Sequence, residues 1–321
     1  MNTYPGGLGP PVAESPFHPD ELLAQRKAGA GMVGASIRAY MPDQHRAFFA
    51  GLRYVLISTV AADGWPMATM LTGEPGFVSS PDAQTLRIAL SAQDREAAGG
   101  AGTFATGQEI GLLGIDLANR RRNRANGHLS TIDADGAFTI VIKQSFGNCP
   151  RYIQRRTVAP ALRETAPIEW LSRLDASAEA MIAGADTFFV ASRSKDKEHG
   201  GADISHRGGQ PGFVHIEGDD LWIPDFNGNH YFNTLGNFLD EPRAALLFID
   251  FESGDLLQLQ GTVEIHWNPE AVRQFAGAER VWRFRVQRGW RRRAALPLRW
   301  TFVDAAPSIA STLECRASRS H

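Results

Sequence analysis

The sequence predicts a mainly β protein, two small β-barrels in tandem with flanking helices. Three observations lead there. The chain repeats itself at a nearly constant spacing, its apolar runs are short and β-branched between turn signals, and its 321 residues exceed the roughly 100–200 of one ordinary domain. With a single internal helical stretch per copy, closed barrels fit better than a doubly wound sheet.

The repeat is legible in four matches. Gly73-Glu-Pro-Gly-Phe-Val78 recurs as Gly209-Gln-Pro-Gly-Phe-Val214, an offset of 136. Ile110-Gly-Leu-Leu-Gly-Ile-Asp116 is echoed by Ala244-Ala-Leu-Leu-Phe-Ile-Asp250, Tyr54-Val-Leu-Ile-Ser58 by Phe188-Phe-Val-Ala-Ser192, and Asn126-Gly127 by Gln260-Gly261, each at 134. Four matches in one order imply duplication of a module of about 130 residues. The expected divisions are an N-terminal arm and helix over 1–41, a first barrel over 42–156, a helical connector over 157–185, and a second barrel with a basic tail over 186–321.

In chain order, residues 1–16 are Pro/Gly-rich and read as an arm, and Pro19 to Ala28 as a helix. Val55 to Ala61 is a strand, Asp63-Gly64 a hairpin turn, and Met67 to Leu71 the returning strand. Pro75-Gly76 has the type II signature, Pro supplying φ near −65° and Gly a positive φ. Leu86 to Leu90 and Ile110 to Asp116 follow as strands, with a helix between the third and fourth. Thr157 to Ala185 reads as helical from Ile168, Leu171, Leu174 and Met181. In the second copy, strands are expected over Thr187–Ala191, Gly212–Ile216, Leu221–Ile223, Ala244–Phe251 and Leu256–Ile265. From Val281 the six arginines 283, 285, 288, 291, 292 and 293 read as a solvated basic surface in preference to a phosphate site, with Trp282, Phe284 and Trp290 packing on the body.

Composition removes several classes of function. Charged residues are 21% and hydrophobic residues 43%, ordinary for a folded globular protein, and the net charge of −2 argues against a nucleic-acid binder. The chain has no run of about 18 apolar residues and no signal-peptide start, so a cytoplasmic protein with no membrane partner is expected. Cys149 and Cys315 are too few for a zinc cage, and the spacings of His199, His206, His215 and His230 fit no compact metal site, so no metal is expected. Only four of the 33 basic residues are lysines; the other 29 are arginines, which suit phosphate. Arg120 to Arg124 would send alternate arginines to one strand face, either towards phosphate or into ion pairs with Asp116 or Asp133.

Four segments carry a resemblance: Ser145-Phe-Gly-Asn-Cys-Pro-Arg-Tyr-Ile153, Ser205-His-Arg-Gly-Gly-Gln-Pro-Gly-Phe213, Pro224-Asp-Phe-Asn-Gly-Asn229 and Phe232-Asn-Thr-Leu-Gly-Asn237. They resemble the pyridoxamine 5'-phosphate oxidase-related, FMN-binding split-barrel family in its tandem subgroup, from about Pro42 to Glu264. The resemblance implies FMN between two barrels, here both from one chain as a pseudo-dimer; a further homodimer stays open. It implies a flavin-dependent oxidoreductase acting on a small-molecule substrate or electron donor, NAD(P)H among the candidates. The alternative is a non-catalytic binding or storage protein using the barrel for haem, a deazaflavin or another ligand.

The expected cofactor residues follow. In the second copy they are Ser205, His206, Arg207, Phe213, Pro224, Asn229, His230, Asn233, Thr234 and Asn237; in the first, Asn148, Cys149, Arg151, Tyr152 and Arg155. Ser205 to Arg207 offer hydroxyl, imidazole and guanidinium beside glycines that admit a ligand to backbone N–H groups. Asn233-Thr234 stands where single-copy relatives resemble one another in having Arg-Lys, so phosphate charge must come from Arg207, Arg151 or the arginines at 120–124. Arg151 and Arg155 share a face if Pro150 opens a helix. Cys149 reads either as a reactive thiol at that helix start or as a small turn residue. No single residue is assigned catalysis.

Overall fold

The computed structural model describes residues 15–31, 36–90 and 104–309. Two helices, α1 (Pro19–Lys27) and α2 (Asp43–Ala50), precede the first module. That module is one antiparallel sheet of β1 (Tyr54–Val60), β2 (Pro66–Thr72), β3 (Val78–Asp82), β4 (Thr85–Ile88), β5 (Glu109–Asp116), β6 (Arg121–Ile132) and β7 (Phe138–Gly147). Its strand order is β2-β1-β5-β6-β7-β4-β3. The turns are those expected from their glycines: Gly64 between β1 and β2 has φ +82° and Gly76 has φ +97°.

After β8 (Arg155–Pro160), β9 (Glu169–Leu171) and α3 (Ala176–Gly184) comes the second module. It contains β10 (Thr187–Ser194), β11 (Gly201–Gly208), β12 (His215–Glu217), β13 (Asp220–Phe226), α4 (Asn233–Asp240), β14 (Arg243–Ile249), β15 (Leu256–His266), α5 (Pro269–Val272) and β16 (Ala278–Arg292). The order β11-β10-β14-β15-β16-β13-β12 repeats that of the first sheet strand for strand, with β9 added on β16. A last strand, β17 (Leu298–Asp304), forms a two-stranded sheet with β8. The chain is thus two tandem split barrels forming an internal pseudo-dimer.

Alternation along the central strands builds three cores. Val55, Ile57 and Leu112 point into the first barrel, and Phe188, Val190 and Leu246 into the second. Their neighbours Leu56, Leu113, Phe189, Ala191 and Leu247 point the other way and meet in a third cluster between the modules. Strands buried on both faces therefore read as continuous apolar runs, and each large side chain contributes about 1.5–3 kcal/mol relative to exposure. The backbones also meet: a Cβ on Gly111 of β5 would lie 2.7 Å from Asp203 Cα of β11.

Several expectations change. Ile57 pairs with both Thr69 and Leu112, as Val190 pairs with Ser205 and Leu246, so Val190 corresponds to Ile57 at an offset of 133, not 134. Within 157–185 only α3 is helical; β8 and β9 occupy the earlier part. The arginine-rich stretch from Val281 is no tail but most of β16, the longest strand, paired on both sides by β15 and β13. Arg283, Arg285, Arg288, Arg291 and Arg293 are in ion pairs with acidic neighbours rather than merely solvated. The first copy's internal helix and nearly all of the N-terminal arm lie outside the described residues.

Candidate functional site

A cleft opens where β11, β13 and α4 of the second module face β6 and the end of β7 of the first. Counted out to solvent it encloses about 870 Å³. Ser205, His206 and Arg207 line it from β11, Phe213 from the following turn, Pro224 from β13, Asn229 and His230 from the next loop, and Asn233 and Thr234 from the first turn of α4. The first module contributes Asn148, Cys149, Arg151 and Tyr152. Backbone proximity explains Gly208: a Cβ there would strike the carbonyl oxygen of Tyr152.

Two expected residues lie elsewhere. Asn237, one turn along α4 from Asn233, is buried in contact with Ser192 Oγ and His18 Nε2, both at 2.9 Å, and fastens α1 to α4. Arg155 starts β8 and pairs with Asp304 of β17. The helix that would have aligned it with Arg151 does not form; residues 148–154 are turn and coil, and Tyr152 has φ +65°. Cys149 accordingly sits in a turn and is half-buried.

Arginines that the sequence offered only as a group, and residues it did not single out, complete the walls. Arg122 and Arg124 point from β6 into the cleft, while Arg121 turns to the Phe48 ring. Arg120 is in the preceding turn at φ +52° and bonds Asp304. Arg280 of β16 lies opposite Asp225 of β13, its Nε donating to Asp225 Oδ2 at 3.0 Å. Arg124 is buried and spans the module interface: it donates to Asp203 Oδ1 and Oδ2 at 3.0 and 3.1 Å, to Asn233 Oδ1 at 3.2 Å, and to Ser205 Oγ. Thr234 Oγ1 meets Ser205 Oγ at 2.7 Å. Only the alternation of the arginines on β6 was a sequence signal; Asp203 and Arg280 needed the register.

The charges do not balance. Arg122, Arg124, Arg151, Arg207 and Arg280 face carboxylates at Asp203, Asp225 and Glu279, an excess of two positive charges. Burial, reinforced by Arg124 and Arg207, pulls Arg122 down to about 9. Burial also holds His206 well below the usual imidazole value, with Arg122 and Arg207 adding to the effect. A neutral His206 accepts from Arg122 Nη1 at Nδ1, 3.1 Å away, and so keeps its proton on Nε2. That Nε2, Arg124 Nε, Arg207 Nε and Asn148 Oδ1 are buried with no partner. Unpaired buried donors and surplus guanidiniums are the chemistry of a phosphate seat, so a phosphate-bearing flavin fits the residues present.

Backbone strain gathers here too. Tyr152, His230 and Phe232 have φ +65°, +59° and +58°, and all three line the cleft. Each left-handed non-glycine residue costs of order 1–3 kcal/mol and persists where surrounding contacts hold it. Tyr152 stacks on Phe226 at 5.4 Å and donates its hydroxyl to Asn227 O at 3.0 Å; Phe232 lies under the Arg280 guanidinium at 4.8 Å. Among the described residues, no group of three or more His, Cys, Asp or Glu is placed to hold a metal ion. No described helix is long and apolar enough to cross a membrane.

The sequence profile of the family described as pyridoxamine 5'-phosphate oxidase matches twice, over residues 41–166 and 174–299. No curated protein matches the chain. Similar solved structures include Group A Streptococcus HupZ, 15% identical over 41% of this chain and 98% of that one, with a TM-score of 0.30. A FAD-binding protein from Mesorhizobium loti is 12% identical, over 39% and 97%, with a TM-score of 0.29. A Clostridium acetobutylicum protein related to general stress protein 26 is 13% identical, over 40% and 92%, with a TM-score of 0.28.

Proposed function

From a chain that belongs to the pyridoxamine 5'-phosphate oxidase family, with surplus positive charge in its inter-module cleft, we propose an FMN-binding protein that works as a flavin-dependent oxidoreductase. The observation that carries the reading is the excess of two guanidiniums beside orphaned buried donors, which matches a dianionic phosphate. Arg207 and Arg122 hold the phosphate and Ser205, Thr234 and Asn148 the polar chain next to it. Tyr152, Phe226 and Phe232 supply apolar wall. Bound flavin supplies hydride or single-electron transfer, and the protein binds and orients it; neutral His206 offers a fixed Nε2–H donor. Both walls come from one chain, so a monomer suffices.

FMN titration monitored by flavin fluorescence tests this. Replacing Arg207 by Ala removes a charge-assisted contact of about 1.5–3 kcal/mol, so affinity falls roughly 10- to 150-fold. Unchanged affinity would show that the phosphate sits elsewhere. The non-catalytic reading has one observation in its favour: Asn233 and Thr234 are neutral and already bonded within the protein, Asn233 to Arg124 and Glu21 and Thr234 to Ser205. Anaerobic bleaching of the flavin by NADH or NADPH supports the oxidoreductase, and a flavin that neither these nor other donors reduce supports a binding protein.

A further inference from the structure

Because the two sheets share one strand order, register assigns the cleft residues of β6 and β11 counterparts in the other module. Ser205, His206 and Arg207 of β11 correspond to Thr69, Met70 and Leu71 of β2, since His206 faces Phe189 as Met70 faces Leu56. Arg124 faces Phe146 as Gln258 faces Trp290, which makes Leu256 the counterpart of Arg122 and Gln260 that of Asn126. A symmetric pseudo-dimer would therefore have a second cleft between β2 and β15.

That position is closed. Leu256 and Met70 belong to the core between the modules, and Leu71 to the first barrel's core; all three are at most 3% exposed. Both polar atoms of Gln258 are engaged, its Oε1 accepting from Trp290 Nε1 at 2.6 Å and its Nε2 donating to Ala68 O at 2.7 Å. Gln260 Nε2 donates to Pro66 O at 2.8 Å. Where Arg124 and Asp203 bind one module to the other by charge, two neutral amides do so by bonding the backbone of β2. Three cations, Arg122, Arg124 and Arg207, have become Leu256, Gln258 and Leu71. Arg292 and Arg293 add cations, two and three residues beyond Trp290 where Asn148 and Cys149 lie two and three beyond Phe146, and Arg293 is paired with Glu169 at 2.8 Å.

We propose that the chain holds one flavin, in the cleft lined by Arg122, Arg124 and Arg207, and that its symmetry-related counterpart has been turned into core. The proposal rests on the flavin reading given above. Inserting a dianion among Leu256, Met70 and Leu71 would bury charge without compensation, which proteins avoid.

Fluorescence titration of the intact chain with FMN, at a protein concentration fixed by amino-acid analysis, should saturate at one FMN per chain, and Arg207→Ala should weaken all of it. Saturation at two, or a tight half-stoichiometric site surviving Arg207→Ala, overturns the proposal while leaving the flavin reading intact. Should FMN not bind, the flavin reading fails and tungstate soaked into crystals decides the site count. Anomalous density only among Arg122, Arg124 and Arg207 supports one site; density beside Leu256 and Met70, or none at the arginines, overturns it.

Discussion

Replacing Asp203 by Asn should move stability and ligand affinity in opposite directions. The Asp203 side chain is 6% exposed, accepts two bonds from Arg124 Nη1, and takes a third from Asn126 Nδ2 at 3.0 Å. Removing one partner of a buried ion pair costs about 3–5 kcal/mol. The lower end applies because Ser205 and Asn233 still accept from Arg124. The same change raises the surplus positive charge of the cleft from two to three. One charge at about 10 Å and an effective dielectric near 20 is worth roughly 1.7 kcal/mol, so FMN should bind about tenfold tighter or more. Urea unfolding with and without FMN reads the first effect and fluorescence titration the second. At one saturating FMN concentration both proteins are stabilised, the variant by roughly 1.7 kcal/mol more, so about half of the defect should vanish when the cleft is filled. A loss below about 1 kcal/mol, or weaker FMN binding by the folded variant, would refute the electrostatic account.

Two further outcomes follow. Gly111→Ala places a methyl 2.7 Å from Asp203 Cα and 2.8 Å from Ala202 O, rigid backbone on the other module, and should cost about 1–3 kcal/mol in a urea titration; an unchanged midpoint would mean that β5 and β11 do not meet there. Burial raises Glu21 from 4.5 to about 8, against a smaller lowering from Asn233. Its contribution is fully present below pH 4.5 and is lost as pH rises towards 8, because the unfolded state then binds fewer protons. Glu21→Gln, isosteric with the protonated acid, should flatten the fall in stability between pH 4.5 and 8. Parallel curves for the two proteins would remove Glu21 as the cause.

The fold was legible where local chemistry decides it. The Gly-X-Pro-Gly-Phe-Val repeats end in turns whose glycines take positive φ, and their 136 offset agrees with the register of β2 and β11. The neighbouring match failed by one residue for a physical reason: Tyr54-Val-Leu-Ile and Phe188-Phe-Val are buried on both faces, so they lack the alternation that sets register. Val281, Trp282, Phe284 and Val286 are buried among Arg283 and Arg285, a strand-like pattern that proximity to the chain end disguised as a tail. Thirteen of the fifteen expected ligand residues meet in one cleft, because they cluster in segments with turn residues next to strand ends. Asp203 and Arg280 escaped notice because each matters only through a partner across the sheet or interface, Arg124 being 79 residues away and Asp225 55. Pro150 permits a helix start, but the left-handed Tyr152 ends it at once.

Fusion of the two barrels makes the asymmetry between the clefts possible. In a symmetric homodimer any substitution appears at both sites, so a leucine in place of Arg122 would strip that arginine from each cleft. Within one chain β6 carries Arg122 and Arg124 while β15 carries Leu256 and Gln258, and β11 carries Arg207 while β2 carries Leu71. The consequence is energetic as well as functional. Burying Arg122 and Arg207, with Arg124 beside them, works against folding: burial above all holds both guanidiniums below their ordinary value, and Arg124 adds to it. Leu256 and Met70 in the inter-module core offset it, at about 1.5–3 kcal/mol for each buried side chain, and Trp300 packs with them. The closed cleft holds the modules together, and the open one keeps the surplus positive charge on which the proposed phosphate binding rests.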